Sequence, residues 1–474
     1  MGVNIKRDAA DVDIDAAEYQ PLLNNLQANI LRPHGRDNVR HIFIAFTSTP
    51  QSGWRWLNSL LPKIISAHQQ YEQIKARAQN PGLDGGTIVN VYLSAAGYAA
   101  LGFDPDEFDS DSFERGMKNP TGGKDPPSST WELPFRQEIH ALVAVADDSF
   151  STVNTAADAI IASLTGVGKV RLVQEGTTLR RPIVEGPLAG KFEPIEHFGY
   201  FDGISNPIFT KRDIQAENDK TGPDWDATAR LNLVLRDDPF TTVEDAYGSF
   251  LVYRKLHQDV GLFESRVIHL AQSIPLPANL TGAMVVGRFK DGTPVAKHDA
   301  PKSLPTNNFN YKGDDAAFKC PAHAHTRKVN PRESIPGPAF LTGDGRKRRI
   351  VRRGIPYGKP VPGLVEPSIP SDANRSADRG LLFLCFQANI KTQFEFIQRT
   401  WADNPKFPNG TLPFTSNTGY DPVIGQDSDE GQRWPNKWGD ENAGRDRISF
   451  EAAVSLKGGE YFFAPSLAFL KALA

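Results

Sequence analysis

The chain is poor in cysteine: Cys320 and Cys385 are its only two among 474 residues. Two thiols can form at most one bridge, so a disulfide framework, an all-cysteine zinc site and an iron–sulfur cluster are excluded. It also lacks a strong charge of either sign, the formal net charge being -3. Nucleic acid and anionic membranes select strongly basic proteins, so neither is an expected partner. No apolar run approaches the length needed to cross a bilayer. The opening "MGVNIKRDAADVDIDAAEYQ" has no apolar leader core and no twin arginine, and Lys6 stands where N-myristoylation requires Ser or Thr. The expected compartment is therefore the cytoplasm. Motifs of common hydrolases are missing too: there is no G-x-S-x-G elbow and no H-E-x-x-H pair, and "GVGK" lacks the spacing of a phosphate loop.

Glycine (40) and proline (36) are plentiful, which predicts long irregular connections. Between them the first half alternates strand and helix. Strands are expected at 39–46, 138–148 and 169–177, a strand followed by a short helix within 86–102, and helical spacing over 53–78 and 150–166. The order β-α-β, long loop, β-α-β is that of a ferredoxin-like unit. The theme returns with strands at 248–256, 380–389 and 460–465 and helices within 257–287 and 392–403. The expected fold class is α+β: two ferredoxin-like domains with antiparallel sheets, over 1–210 and 211–474. The loops at 290–380 and 403–458 are long enough to be functional.

Three stretches carry chemistry. In "HFGYFDGISNPIF" (197–209), Asp202 lies in an apolar setting where a charge is costly unless paired or used. Asp-Gly is also a common turn dipeptide. In "CPAHAHTRKVNPR" (320–332), His323 and His325 would share one face of a strand. They could ligate zinc as in a hydrolase, or one alone could ligate a haem iron. The neighbouring cations Arg327, Lys328 and Arg332 would repel a bare dication and attract haem propionates. In "GDGRKRRIVRRGIPYG" (343–358), six of the residues from 346 to 353 are basic. Ile350 and Arg352 share a face if the segment is extended, so Arg352 is placed to meet a buried anion.

Together these stretches resemble the dye-decolorising peroxidases, a haem family. "GYFDG" fits the family's G-x-x-D-G signature, "AHTRKVNPR" is similar to its iron-ligand segment, and "IVRRGIPYG" to the segment with the catalytic arginine. "GRFKDGTP", "GLLFLCFQANI" and "GGEYFFAP" add to the likeness, which spans roughly 38–470 and points to the larger subgroup with fungal and some bacterial members. The resemblance implies haem b (iron protoporphyrin IX), held mainly by the C-terminal domain and ligated by His325. Asp202 would move the peroxide proton and Arg352 would stabilise the developing anion. Gly203, Ile204, Arg332, Arg352, Leu381 and Phe383 would also contact the cofactor, and Glu395 would be the carboxylate behind the ligand imidazole. The expected substrates are hydrogen peroxide and aromatic electron donors such as anthraquinone dyes and phenols. Tyr357, Trp401, Trp434 and Trp438 are candidate electron relays to bulky donors. The competing expectations are a haem-handling protein without turnover, and a zinc hydrolase using His323 and His325.

Overall fold

The run NVRHIFIAF (Asn38–Phe46, β1) is apolar at consecutive positions because both faces of the strand are covered: seven of its nine residues are buried. The remaining N-terminal strands are β2 (Ile88–Leu93), β3 (Ala141–Asp147) and β4 (Gly168–Thr177). In the C-terminal half come β5 (Tyr247–Gln258), the short β6 (Val351–Arg352) and β7 (Ile355–Tyr357), β8 (Gly380–Gln387) and β9 (Val454–Ala464). A computed structural model describes residues 7–120, 122–183, 189–218, 224–303, 305–332, 345–365, 369–408, 417–426 and 431–474.

All pairings among these strands are antiparallel, within one ten-stranded sheet of order β7-β8-β5-β9-β2-β3-β1-β4. With the short β6 and β7 counted as one edge strand, each half has the same internal order, its third strand lying between its second and its first. The fold is thus the α+β arrangement of two ferredoxin-like units. They meet where Phe463 of β9 pairs with Leu93 of β2. The sheet curls until its outer strands approach each other: a Cβ on Gly176 of β4 would come within 2.8 Å of Ile355 Cγ2 in β7. The result is a barrel whose centre is filled by Phe43, Tyr92, Phe250, Phe386, Phe462 and Phe463, all fully buried. Each such side chain contributes on the order of 1.5–3 kcal/mol relative to exposure.

Helices cover the outside. Over 53–78 the structure has two helices, α1 (Pro50–Ser59) and α2 (Ala67–Gln79), because Pro62 interrupts the apolar spacing. A reciprocal cap starts α2: Ser66 Oγ accepts from Gln69 N while Gln69 Oε1 accepts from Ser66 N. The helix α3 (Phe150–Ser163) packs on β1 and β3. Likewise 257–287 splits into α4 (Val260–Ser273) and α5 (Ala278–Val286) at Pro275 and Pro277. The expected helix at 392–403 opens with one α-helical turn, Phe394–Phe396, then widens to a π-helix over Ile397–Ala402. No helix among the described residues is long and apolar enough to cross a membrane.

The enclosed imidazoles set the response to acid. Burial lowers His34 and His197 to about 4 and His41 to about 3, and holds His323 well below its usual value. A depressed imidazole contributes stability that is complete above pH 6.5 and is lost as the pH falls toward the folded value. Burial also raises Glu196 to about 7 and Asp403 to about 6, and raises Asp238 and Glu460, which opposes the trend. Three imidazoles lowered to about 4 or below stand against two carboxyls raised to about 6 and 7, so the imidazoles dominate this window. The urea midpoint is therefore expected to fall steadily from pH 6.5 to pH 4, and a flat midpoint over that window contradicts the balance.

Candidate active site

One cavity gathers Asp202, Gly203, Ile204, His325, Arg332, Arg352, Leu381 and Phe383. The residues come from three places in the chain. The loop after Phe192–Ile195 brings Asp202, Gly203 and Ile204; α6 (His325–Val329) begins at the histidine and the segment just after it carries Arg332; β6 supplies Arg352 and β8 supplies Leu381 and Phe383.

The loop conformation explains why Asp202 is followed by glycine. Gly203 has φ +84, the left-handed region, and its N–H donates to Asp202 Oδ1 at 2.7 Å. Two residues on, the Ile204 carbonyl accepts from Arg352 Nη2 at 2.5 Å, and Asn206 Oδ1 accepts from the Arg352 backbone N–H at 3.0 Å. These two bonds tie the aspartate loop to the arginine strand. Arg353 takes the opposite course: it donates to the carbonyls of Asn29 and Ile30 and is buried. Period two on a strand thus sends Arg352, not Arg353, to the cavity. The same alternation on β8 presents half-buried Leu381 and Phe383 to the cavity, while Leu382 and Leu384 face the core.

His323 and His325 do not share a strand face. His323 lies in a turn, fully buried, with its ring edge-on to Trp434 at 4.3 Å. His325 opens α6, and its Nδ1 sits 2.9 Å from Asp421 Oδ2. Asp421 is itself immobilised: its Oδ1 accepts from Val423 N at 2.8 Å and Ile424 N at 3.1 Å, and its side chain is fully buried. A fixed carboxylate on Nδ1 leaves the lone pair of Nε2 for a ligand. That nitrogen has no hydrogen-bond partner among the described residues.

Glu395 is not the carboxylate behind His325; Asp421 occupies that place. Glu395 accepts from Ser112 Oγ at 3.0 Å and from Tyr461 OH at 3.2 Å, and Arg399 lies 3.5 Å away, so it closes a separate buried network. Sequence offered one clue to Asp421: like Asp202, it stands in an apolar run, YDPVI. Replacing Asp421 with Asn frees the imidazole and is expected to lower cofactor affinity or turnover by about 10–100-fold. Glu395→Gln should leave the cofactor titration unchanged.

The charges favour an anionic guest. Five guanidiniums, of Arg254, Arg288, Arg332, Arg349 and Arg352, line the cavity against the carboxylates of Glu196 and Asp202. Arg332 is buried, with its guanidinium 3.9 Å above Phe309. It already donates to the carbonyls of Asn307 and Phe309, to Asn307 Oδ1 and to Ser205 Oγ. It therefore offers the cavity mainly its charge rather than a forked hydrogen bond. No group of three or more His, Cys, Asp or Glu that could hold a metal ion occurs among the described residues. An accessible imidazole nitrogen in an apolar, cationic cavity fits an iron porphyrin with two propionates.

Residues 25–181 match the DyP dimeric alpha+beta barrel domain and residues 193–418 the Dyp-type peroxidase C-terminal domain. The chain is 38% identical to the multifunctional dye peroxidase DyP2 of Amycolatopsis sp. over 96% of its own length and 97% of the relative's.

The chain belongs to the dye-decolorising peroxidase family.

It is also 32% identical over 80% of its length to the dye-decolorizing peroxidase AauDyP1 of Auricularia auricula-judae, covering 74% of that protein. Among solved structures it is similar to a DyP-type peroxidase from Anabaena sp., with TM-score 0.89, 39% identity and full coverage of both chains. Membership makes this protein a peroxidase of a haem enzyme family that acts on dyes. The aromatic side chains expected to relay electrons are all anchored by the fold. Tyr357 donates to Asp378, Trp401 stacks on Phe407, and Trp434 and Trp438 donate to the carbonyls of Ile448 and Val295.

Proposed function

We propose that this peroxidase holds haem b in the cavity, with His325 as the ligand to iron, and uses Asp202 and Arg352 to reduce hydrogen peroxide at the expense of dyes, phenols and similar aromatic donors. The observation that carries this reading is the His325 imidazole, backed by buried Asp421 and with Nε2 unpartnered among the described residues of the cavity. When bound, haem supplies the redox-active iron at which peroxide is reduced and aromatic donors are oxidised.

The protein residues do the rest. The Asp421 carboxylate accepts the Nδ1 proton of His325, orients the ring and raises its basicity. Asp202 takes a proton from one peroxide oxygen and delivers it to the other, which departs as water. The Arg352 guanidinium balances the negative charge that builds on the departing oxygen. Arg288, Arg332 and Arg349 would offer positive charge to the propionates, and Leu381 and Phe383 would restrict entry to molecules the size of peroxide.

The test is spectroscopic and then kinetic. Purified enzyme loaded with haem is expected to show a Soret band that changes on addition of peroxide, and to bleach an anthraquinone dye only when peroxide is present. A Soret band without bleaching would show a haem-handling protein instead. Failure to take up haem would end the proposal.

A further inference from the structure

We propose that a second cavity, separated from the first by Tyr200, binds an aromatic anion, and that Tyr200 passes single electrons from it to the peroxide-oxidised site. The electron step rests on the haem peroxidase reading above; the binding site does not.

The cavity has a volume of about 940 Å³ and is walled by Tyr200, Phe263, Phe289, Val267, Ile268 and Leu364. Tyr200 lines both cavities. Its ring meets Phe263 edge-on at 6.0 Å, and Phe263 stacks on Phe198 with centroids 4.1 Å apart, so this wall is a rigid aromatic array. Gly282 leaves room for the phenol: a Cβ there would lie 2.6 Å from Tyr200 Oη. The Tyr200 hydroxyl makes no hydrogen bond among the described residues.

Charge selects the guest. Arg181 is neutralised by Glu193 and Glu264 by Arg375. Asp291 accepts from the backbone N–H groups of Thr293 and Ser303. Lys290 alone of the cavity's cations forms no ion pair within 4.0 Å among the described residues, and it is exposed. Its carbonyl accepts from Phe201 N at 3.0 Å, so the residue with the ammonium is bonded to the segment that carries Tyr200 and Asp202. Aromatic walls beside an unpaired ammonium suit a ring bearing a sulfonate or carboxylate.

In the electron step Tyr200 loses one electron to the peroxide-oxidised site and its phenolic proton to solvent. A phenol bound in the second cavity then returns both as a hydrogen atom, restoring Tyr200 and leaving as an aryloxyl radical. The net change is one electron and one proton removed from the phenol.

Equilibrium dialysis of the resting holoenzyme against anthraquinone-2-sulfonate tests the site. Lys290→Met and Ile268→Glu, which removes the cation or sets an anion at the exposed rim, are each expected to weaken binding about tenfold. Tyr200→Phe should bind the probe like wild type, but lower kcat for 4-hydroxybenzenesulfonate about tenfold without raising KM. It should also weaken the tyrosyl radical signal seen after peroxide. Equal probe binding by wild type and both rim variants overturns the site. Undiminished turnover and radical signal in Tyr200→Phe overturn the relay. If wild type itself shows no turnover while Lys290→Met still loses the probe, the peroxidase reading and the relay fall and the binding site stands.

Discussion

Replacing Arg352 with leucine is expected to lower the rate of reaction with hydrogen peroxide by about 10²–10³-fold at unchanged haem content. The size follows from what Arg352 does in the proposed chemistry. It presents a permanent positive charge in an apolar cavity, where charge interacts more strongly than in water. Its position is fixed at both ends, the backbone by Asn206 and the guanidinium by the Ile204 carbonyl. The neighbouring guanidiniums are committed elsewhere: Arg288 donates to the carbonyls of Gly292 and Thr306, Arg349 to those of Ala227 and Thr228, and Arg254 pairs with Asp125. Arg353 is committed to the carbonyls of Asn29 and Ile30, and Arg332 to Asn307, Phe309 and Ser205. Leucine keeps the apolar volume and removes the charge, so the loss should appear in the peroxide step and not in dye oxidation. Stopped-flow absorbance against peroxide concentration measures that step directly. A rate within about threefold of wild type would remove Arg352 from the peroxide chemistry, given the size expected of such a group.

The second large effect is expected at His325. His325→Ala deletes the only imidazole among the described residues that line the cavity, and the variant should retain haem at least tenfold less tightly, by analogy with the loss of a supporting ligand. Peroxidase turnover should vanish with it. His323 cannot substitute, although it lies two residues away: its ring is buried edge-on against Trp434 and does not line the cavity. Haem titration by absorbance distinguishes the two histidines. His323→Ala is expected to retain cofactor and lose stability; His325→Ala is expected to lose cofactor and stay folded. Added imidazole should partly restore the His325→Ala spectrum, because Asp421 remains in place to accept the N–H of the exogenous ring. Full haem retention by His325→Ala would show that another side chain holds the iron.

Asp202 is legible in the sequence because a charge in HFGYFDGISNPIF conflicts with its surroundings, and local chemistry is visible in local sequence. Arg352 could be separated from Arg353 because alternation on a strand is a local property too. The strand β9 was recognised only in part, at 460–465, because Gly458 and Gly459 mask the apolar pattern of its first half and coincide with a register shift against β5. The short strands β6 and β7 were hidden among basic residues, since two or three residues carry too little periodicity to announce a strand.

Composition and pattern determined the broad account: an α+β chain of two similar halves, with an aspartate, a histidine and an arginine in stretches like those of a haem peroxidase family. Tertiary structure decided which residues meet. It joined Asp421 to His325 across 96 positions of sequence and sent Glu395 to Ser112 and Tyr461 instead. It enclosed His323 against an indole and left His325 open to the cavity. The reason is physical: spacing along a chain fixes which side of a strand or helix a residue occupies, whereas the partner opposite depends on how distant elements pack.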